Sequence, residues 1–243
     1  MQRYFADSKI TTEYQLTPEI YKHAIKVLRM KVGDTFELVD DAEVVHKMEI
    51  TKIEDGKAKA TSVEVIPSDV ELPADVTIVC GISKNDKADW IVQKGTEMGA
   101  TKFIFFVGDY SVAKWDKKRS SKKVQRLQKI ARSAAEQSHR TKIPEVTFVE
   151  KLKDIDFEKN DARIVAYEES AKKGESGNLF KILNKKPSDI IAIFGPEGGI
   201  SPKEIEFLEA NSFILAGLGP RIIRAETAPL YFLASLSFAL ELS

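Results

Sequence analysis

Five short apolar runs constrain this chain more than anything else in it: VTIVCGI (76–82), FIFFV (103–107), ARIVAY (162–167), IIAIF (190–194) and SFILAG (212–217). Each is nearly continuous rather than alternating, and each borders segments with helical spacing. A strand apolar at every position has both faces out of water, the condition of a parallel sheet covered by helices on either side. The expectation is an α/β domain from about Pro73 to the end.

Before Pro73 the rhythm differs. DTFELVD (34–40), VVHKMEITKI (44–53) and KAKATSVEVI (57–66) partly alternate and are separated by Asp40-Asp41 and Asp55-Gly56 turns, the pattern of a small barrel. TPEIYKHAIKVLRM (17–30) supplies one helix, with Thr17 as cap, Pro18 at its first position, and Ile20, Ala24, Val27 and Leu28 on one face. IPSDVELPAD (66–75), with two prolines and three acids, reads as a linker, which divides the chain into a barrel over 1–70 and an α/β domain over 73–243.

Several function classes are disfavoured. The single cysteine, Cys80, lies inside an apolar run and reads as a buried thiol, with no disulfide framework possible. His23, His46 and His139 are far apart and lack ligand spacing, so no metal is expected. No window reaches the roughly eighteen apolar residues of a membrane span, and the opening MQRYFADSKI has no signal-peptide core; a cytoplasmic protein is expected.

Charge is balanced, 37 basic against 37 acidic side chains, but unevenly placed. Between Lys114 and Lys142 eleven Lys or Arg face only Asp116 and Glu136, near +9. Within this stretch Val124, Leu127, Ile130, Ala131, Ala134 and Ala135 form a helical stripe with cations over the remaining surface, as expected of a helix that meets a polyanion. The last helical segment, 228–242, is apolar nearly all round and needs cover on every side, from a core or a second subunit.

In IIAIFGPEGGISPKE (190–204) a strand runs into Gly195, Pro196, Gly198 and Gly199 before a helix opens at Ser201-Pro202. Strand, glycine loop and helix commonly hold phosphate, but a phosphate loop needs a Lys where Ile200 stands. ILAGLGPRIIRAETAP (214–229) repeats the theme with Gly217 and Gly219, followed by Arg221 and Arg224. Two such turns at strand ends gather backbone groups around one crevice. With Glu197 in the first turn and no Lys in either, a neutral or cationic ligand suits the crevice better than a triphosphate.

In SKNDKADWIVQKGTEMGA (83–100), Asn85 or Asp86 is expected to cap a helix with Trp90, Ile91, Gly95 and Met98 toward the core. Together with FGPEGGIS, LGPRIIRAETA, AEQSHR (135–140) and HAIKVLRMKVGD (23–34), this stretch gives the chain a resemblance, in order over nearly its whole length, to the RsmE-type ribosomal RNA uridine N3 methyltransferases of the SPOUT superfamily. It departs from their pattern at Tyr21, Ala225 and Pro229, none of which touches the glycines.

The resemblance implies a PUA-like RNA-binding barrel, a SPOUT domain with a deep trefoil knot, S-adenosyl-L-methionine as cofactor, a homodimer, and methylation of a uridine N3 in 16S ribosomal RNA near the decoding site. Gly195, Pro196, Glu197, Gly198, Gly199, Gly217 and Gly219 then form the cofactor shell, with Leu215, Leu218 and Ile222 as apolar walls. Uridine N3 must lose a proton, so Arg221 and Arg224 are expected to stabilise the uridinate or grip phosphate, and Glu197 to accept the proton or bind a cofactor hydroxyl. Expected RNA contacts are Arg3, Lys22, His23, Lys26 and Arg29 on the barrel, Lys84, Lys87 and Lys94, the basic-helix residues Lys122, Arg126 and Lys129, and Gln137 with Arg140. A SPOUT methyltransferase for another RNA, and a non-catalytic RNA-binding or ribosome assembly factor, stay open.

Overall fold

The computed structural model describes residues 1–84, 86–115, 117–157, 160–169 and 177–242, without the side chains of 117–119. Asn85, one of the two expected caps, lies outside the described residues, as do Asp116 and the side chains of Lys117, Lys118 and Arg119. The contacts divide the chain into two units, Met1–Glu71 with Ala135–Lys142, and Leu72–Ala134 with Ile143–Ser243.

The first unit is a five-stranded sheet of β1 (Arg3–Phe5), β2 (Glu13–Gln15), β3 (Thr35–Val39), β4 (Val45–Glu54) and β5 (Lys57–Ile66), in the order β1-β3-β4-β5-β2. Only β1 and β3 pair in parallel. Alternation sends Phe36, Leu38, Met48, Ile50, Ala58 and Ala60 into a core shared with Tyr4, Ile20 and Ala24. Thr17 caps α1 (Pro18–Tyr21), its hydroxyl accepting from the Ile20 N–H at 3.3 Å. The helix then loosens into a π turn over Lys22–Val27, with the Leu28 N–H reaching back to the His23 carbonyl at 2.9 Å. A π turn holds one residue more than an α turn, so the expected apolar face is rotated apart: Ile20 and Ala24 are buried, whereas Val27 and Leu28 are exposed.

Segment 135–142, expected to belong to the α/β domain, is fastened to this unit by ions. Glu71 accepts from Arg140 Nε at 3.0 Å and from the Thr141 and Lys142 N–H groups at 2.8 and 3.1 Å. Arg3 donates to Glu37 at 2.7 Å and to the carbonyls of His139 and Arg140. Arg3 and Arg140 are 4% and 2% exposed, so the RNA contacts expected of them give way to buried clamps. A guanidinium this deep is stabilised by a matched carboxylate and several acceptors, and it has little surface left to offer a phosphate.

The second unit is a six-stranded, all-parallel sheet of β6 (Asp75–Gly81), β7 (Lys102–Phe106), β8 (Glu145–Val149), β9 (Ala162–Ala166), β10 (Asp189–Phe194) and β11 (Ile214–Ala216), in the order β11-β9-β10-β6-β7-β8. One face packs Ile78, Cys80, Phe103, Phe105, Ile190 and Phe194 against α2 (Lys87–Glu97), α3 (Lys117–Gln137) and α6 (Ala228–Glu241). The other packs Val79, Ile104, Phe106, Val165, Ile191 and Ile193 against Ile205 and Leu208 of α5 (Pro202–Ala210). Both faces are covered, as the continuous apolar runs require, and α4 (Asn178–Leu183) adds Ile182 and Leu183 to the first. Cys80 is a buried thiol whose pKa burial pushes up.

Two helix readings change. On α2, Ile91 and Gly95 are buried, but Trp90 is 51% exposed and Met98 also reaches the surface, because the strip facing the sheet is narrower than the apolar one. On α6, Phe232, Leu233 and Leu236 are buried while Tyr231, Phe238 and Leu242 are exposed. Among the described residues no helix is long and apolar enough to cross a membrane.

Burial pushes the Glu71 carboxyl up, but Arg140 and the N–H groups of Thr141 and Lys142 outweigh it and hold the pKa below the ordinary glutamate range. A depressed pKa contributes stability that is complete above about pH 4.3 and lost as pH falls through the folded-state value. Glu71→Ala is expected to deprive the buried Arg140 of this carboxylate and cost about 3 kcal/mol, read as a lowered midpoint in urea unfolding at pH 7. The gap between wild type and variant should narrow in acid below pH about 4.

Candidate active site

Because every strand of the second sheet runs the same way, the C-terminal ends of β9, β10, β11 and β6 lie along one edge. The segments leaving the first three enclose a cleft of about 590 Å³. Its walls are Ala166 to Glu169 after β9, Phe194 to Ile200 after β10, and Leu218 to Ala225 without Pro220 after β11, with Lys87 and Ala228 added.

The first glycine turn is fixed by its own packing. The Gly199 N–H bonds the Pro196 carbonyl at 2.9 Å, and Gly199 sits at φ +80°, which a side chain rarely tolerates. Ser201 caps α5 in a reciprocal box with Glu204, its Oγ also donating to Asp109 Oδ2 at 2.6 Å, while Glu204 Oε1 accepts from the Asp109 N–H at 3.1 Å. A Cβ on Gly195 would come within 2.8 Å of Ile200, one on Gly198 within 2.8 Å of the Tyr110 carbonyl oxygen, and one on Gly81 within 2.5 Å of the Pro196 ring. Those three glycines answer to close approach within the chain, not only to a ligand. In the second turn Gly219 has φ +95°, and Arg221, Ile222 and Arg224 are exposed along the cleft.

Most residues expected around a cofactor are brought together: Gly195, Pro196, Glu197, Gly198, Gly199, Leu218, Gly219 and Ile222 line the cleft with Arg221 and Arg224. Two are not among its walls. Leu215 packs beside the Phe157 and Phe213 cluster and its carbonyl accepts from Asn178 Nδ2 at 2.9 Å, and Gly217 is buried. The strands carrying the two turns are also not neighbours, since β9 runs between them. Tyr167, Glu168 and Glu169 therefore enter the site unforeseen, although the end of ARIVAY carried the same strand-end signal as the glycine turns.

An ion cluster joins the walls. Lys87 Nζ lies 3.0 Å from Glu197 Oε1 and 3.0 Å from Glu226 Oε2, and the Lys84 N–H donates to Glu197 Oε1 at 3.3 Å. The approach to Glu226 is an ion pair that is not aligned as a hydrogen bond, leaving Oε2 buried without one. Burial pushes the Glu197 carboxyl up, but Lys87, a backbone N–H and the Ser83 hydroxyl pull it below its ordinary value. Glu226 is lowered against burial in the same way, by a backbone N–H and Lys87. The hydrogen bond to Glu197 holds the Lys87 ammonium above its usual range. A carboxylate so stabilised in its ionised form is a weaker proton acceptor than a free one, and Glu197, expected as a base or a ligand to a cofactor hydroxyl, stands here in an ion pair with Lys87.

The remaining expected RNA contacts divide by occupation. Lys84, Lys122, Lys129, Gln137 and Arg29 are exposed, as are Lys22 and Lys26, whereas Lys94 pairs with Glu97 at 2.8 Å and Arg126 pairs with Asp89. His23 is exposed, with Nδ1 2.9 Å from the Tyr4 hydroxyl, whose pKa burial, helped by Glu136, pushes up to about 12. Among the described residues no group of three His, Cys, Asp or Glu is placed to hold a metal ion.

Comparison with known proteins agrees with this geometry. Residues 70–237 match the family described as an RNA methyltransferase domain, and residues 16–61 the one described as an RNA methyltransferase PUA domain. Ribosomal RNA small subunit methyltransferase E of Bacillus subtilis is 40% identical over 254 aligned residues, which cover 100% of this chain and 98% of that one. The protein of the same name from Synechocystis is 31% identical, with 89% and 70% covered. Among solved structures, a ribosomal RNA small subunit methyltransferase E from Neisseria gonorrhoeae bound to S-adenosyl methionine superposes with a TM-score of 0.84 at 27% identity, covering 98% of this chain and 97% of that one. With both halves matched and the likeness running end to end, the chain belongs to the RNA methyltransferase family, in the group of the small-subunit ribosomal RNA methyltransferases E.

Proposed function

We propose that the protein uses S-adenosyl-L-methionine to methylate N3 of a uridine in 16S ribosomal RNA, near the decoding site, and that it works as a homodimer in the cytoplasm. The trefoil-knotted path of the second domain belongs to the same reading. The observation that carries it is the crevice at the ends of β9, β10 and β11, where the phosphate-loop Lys is missing and a relative of the same build holds S-adenosyl methionine.

The residues present fit such a donor. Gly199 and Gly219, at positive φ, bring bare backbone to the crevice, and Ile200, Leu218 and Ile222 supply apolar wall. Glu168 and Glu169 bring negative charge to the same walls, which suits a cationic ligand. When bound, the donor supplies a methyl group already activated on a sulfonium. The chain's own work is then to position and to manage charge.

Uridine N3 must shed a proton, and among the expected residues no carboxylate at the cleft is suited to take it, since Glu197 is committed to Lys87. Arg221 and Arg224 instead offer fixed positive charge at the exposed rim, where it lowers the cost of a uridinate. RNA binding rests on the exposed cations of α3 and of the π turn, among them Lys122, Lys129, Lys22 and Lys26. Support for a dimer comes from α6. Tyr231, Phe238 and Leu242 recur at helical spacing and stay exposed, Phe238 by 64%, an apolar stripe that a second copy would cover.

Purified protein is expected to add one methyl group to small subunits prepared without the modification, and nucleoside analysis should locate it on N3 of a uridine. No transfer to subunits or their RNA would refute the reading. Arg221→Ala should lower kcat about 10²-fold while donor affinity, measured by calorimetry, stays near wild type. Phe238→Glu should move the protein from dimer to monomer in light scattering, whereas an already monomeric wild type would sink the dimer.

A further inference from the structure

Resting on the function just proposed, we infer that Lys87 is a positioning residue whose charge ties the two glycine turns together and so sets the shape of the donor crevice. Lys87 opens α2 and so belongs to neither turn, yet its ammonium sits 3.0 Å from a carboxylate of each: Glu197 inside the first and Glu226 just past the second. Its side chain is 24% exposed at the crevice wall, so water only partly screens the pairs.

The two turns are otherwise held in different ways. The first is pinned by Ser201 and Glu204 to Asp109, and by the Lys84 N–H to Glu197. The second has the local bonds of Thr227 and Ala228 to the Arg224 carbonyl, and Glu226 Oε2 is buried with no aligned hydrogen bond. The Glu226 backbone N–H and the charge of Arg224 also favour the ionised carboxylate, but Lys87 is the cation in direct contact and the one that reaches the other turn. Were the ammonium lost, Glu197 and Glu226 would be two partly buried like charges with no cation between them, and their repulsion would push the turns apart.

Charge is therefore separable from bulk. Lys87→Met keeps an unbranched chain one atom shorter without the charge and is expected to weaken binding of both S-adenosylmethionine and S-adenosylhomocysteine by about tenfold in calorimetry. In turnover the KM for the donor should rise while kcat at saturation holds. Lys87→Met with Glu197→Gln and Glu226→Gln removes the repulsion together with the tie and should recover most of the lost affinity. A merely stabilising lysine would lower the melting temperature without this charge-dependent recovery. If Lys87→Met does not fold, Lys87→Gln, tested alone and with Glu197→Gln and Glu226→Gln, gives the same reading.

Donor affinity within about twofold of wild type in whichever variant of Lys87 alone folds overturns the inference. So does a change confined to S-adenosylmethionine; a gain for it alone would mean that the ammonium acts on the like-charged sulfonium itself. Wild type that binds neither molecule refutes the proposed function, and this inference with it. Wild type that binds both, beside unchanged variants, refutes the inference alone.

Discussion

A parallel ladder can be closed only by crossovers, and that requirement sets everything else in the second unit. Each strand must begin at one edge of the sheet and end at the other, so all the turns that follow strands accumulate along a single rim. The crossovers place helices over both faces, which is why Ile78 and Val79, one residue apart, belong to different cores. The rim cannot be covered in the same way. After β8 the chain builds β9 beyond the place where β10 will lie, then returns to set β11 outside it. Where strand order reverses in this way, flanking loops diverge and leave an opening.

What occupies that opening has two different surfaces to meet. Backbone at Gly199 and Gly219 and apolar side chains at Ile200 and Leu218 suit a compact ligand, and most of the charge near them is paired or counterbalanced. Arg221 and Arg224 stand on the exposed side. A large anionic partner can therefore reach the cations without the small ligand leaving its pocket. The division suits chemistry in which one reactant is activated beforehand and the other must be coaxed into carrying negative charge.

The parts legible in the sequence were those whose signal is local. Continuous apolar runs report burial on both faces, so five of the six strands of the large sheet could be read directly. β8, EVTFV, lies at the edge and alternates, and β1 and β2 are three residues long, too short to show a period. Glycine turns likewise reveal themselves by composition. Arg3 and Arg140 look like any surface cations in the sequence; only Glu37 and Glu71, 34 and 69 residues away, make them interior. The pairing of Lys87 with Glu197 and Glu226 is hidden for the same reason, because electrostatic partners leave no period. The insertion of β9 between β10 and β11 follows from strand order, which no single run encodes, and the π turn that exposes Val27 and Leu28 breaks the very spacing used to find the helix.

One small feature reaches further than its size. Gly81 ends β6 with its missing side chain aimed at the Pro196 ring, and it is not among the residues lining the cleft. A single added methyl there would have to displace the proline, and with it the turn that carries Glu197. Natural variation judged by proximity to bound molecules would pass over this position as neutral. The tolerance map of the enzyme should therefore contain an intolerant spot with no visible ligand beside it, written by the thickness of the scaffold behind the pocket.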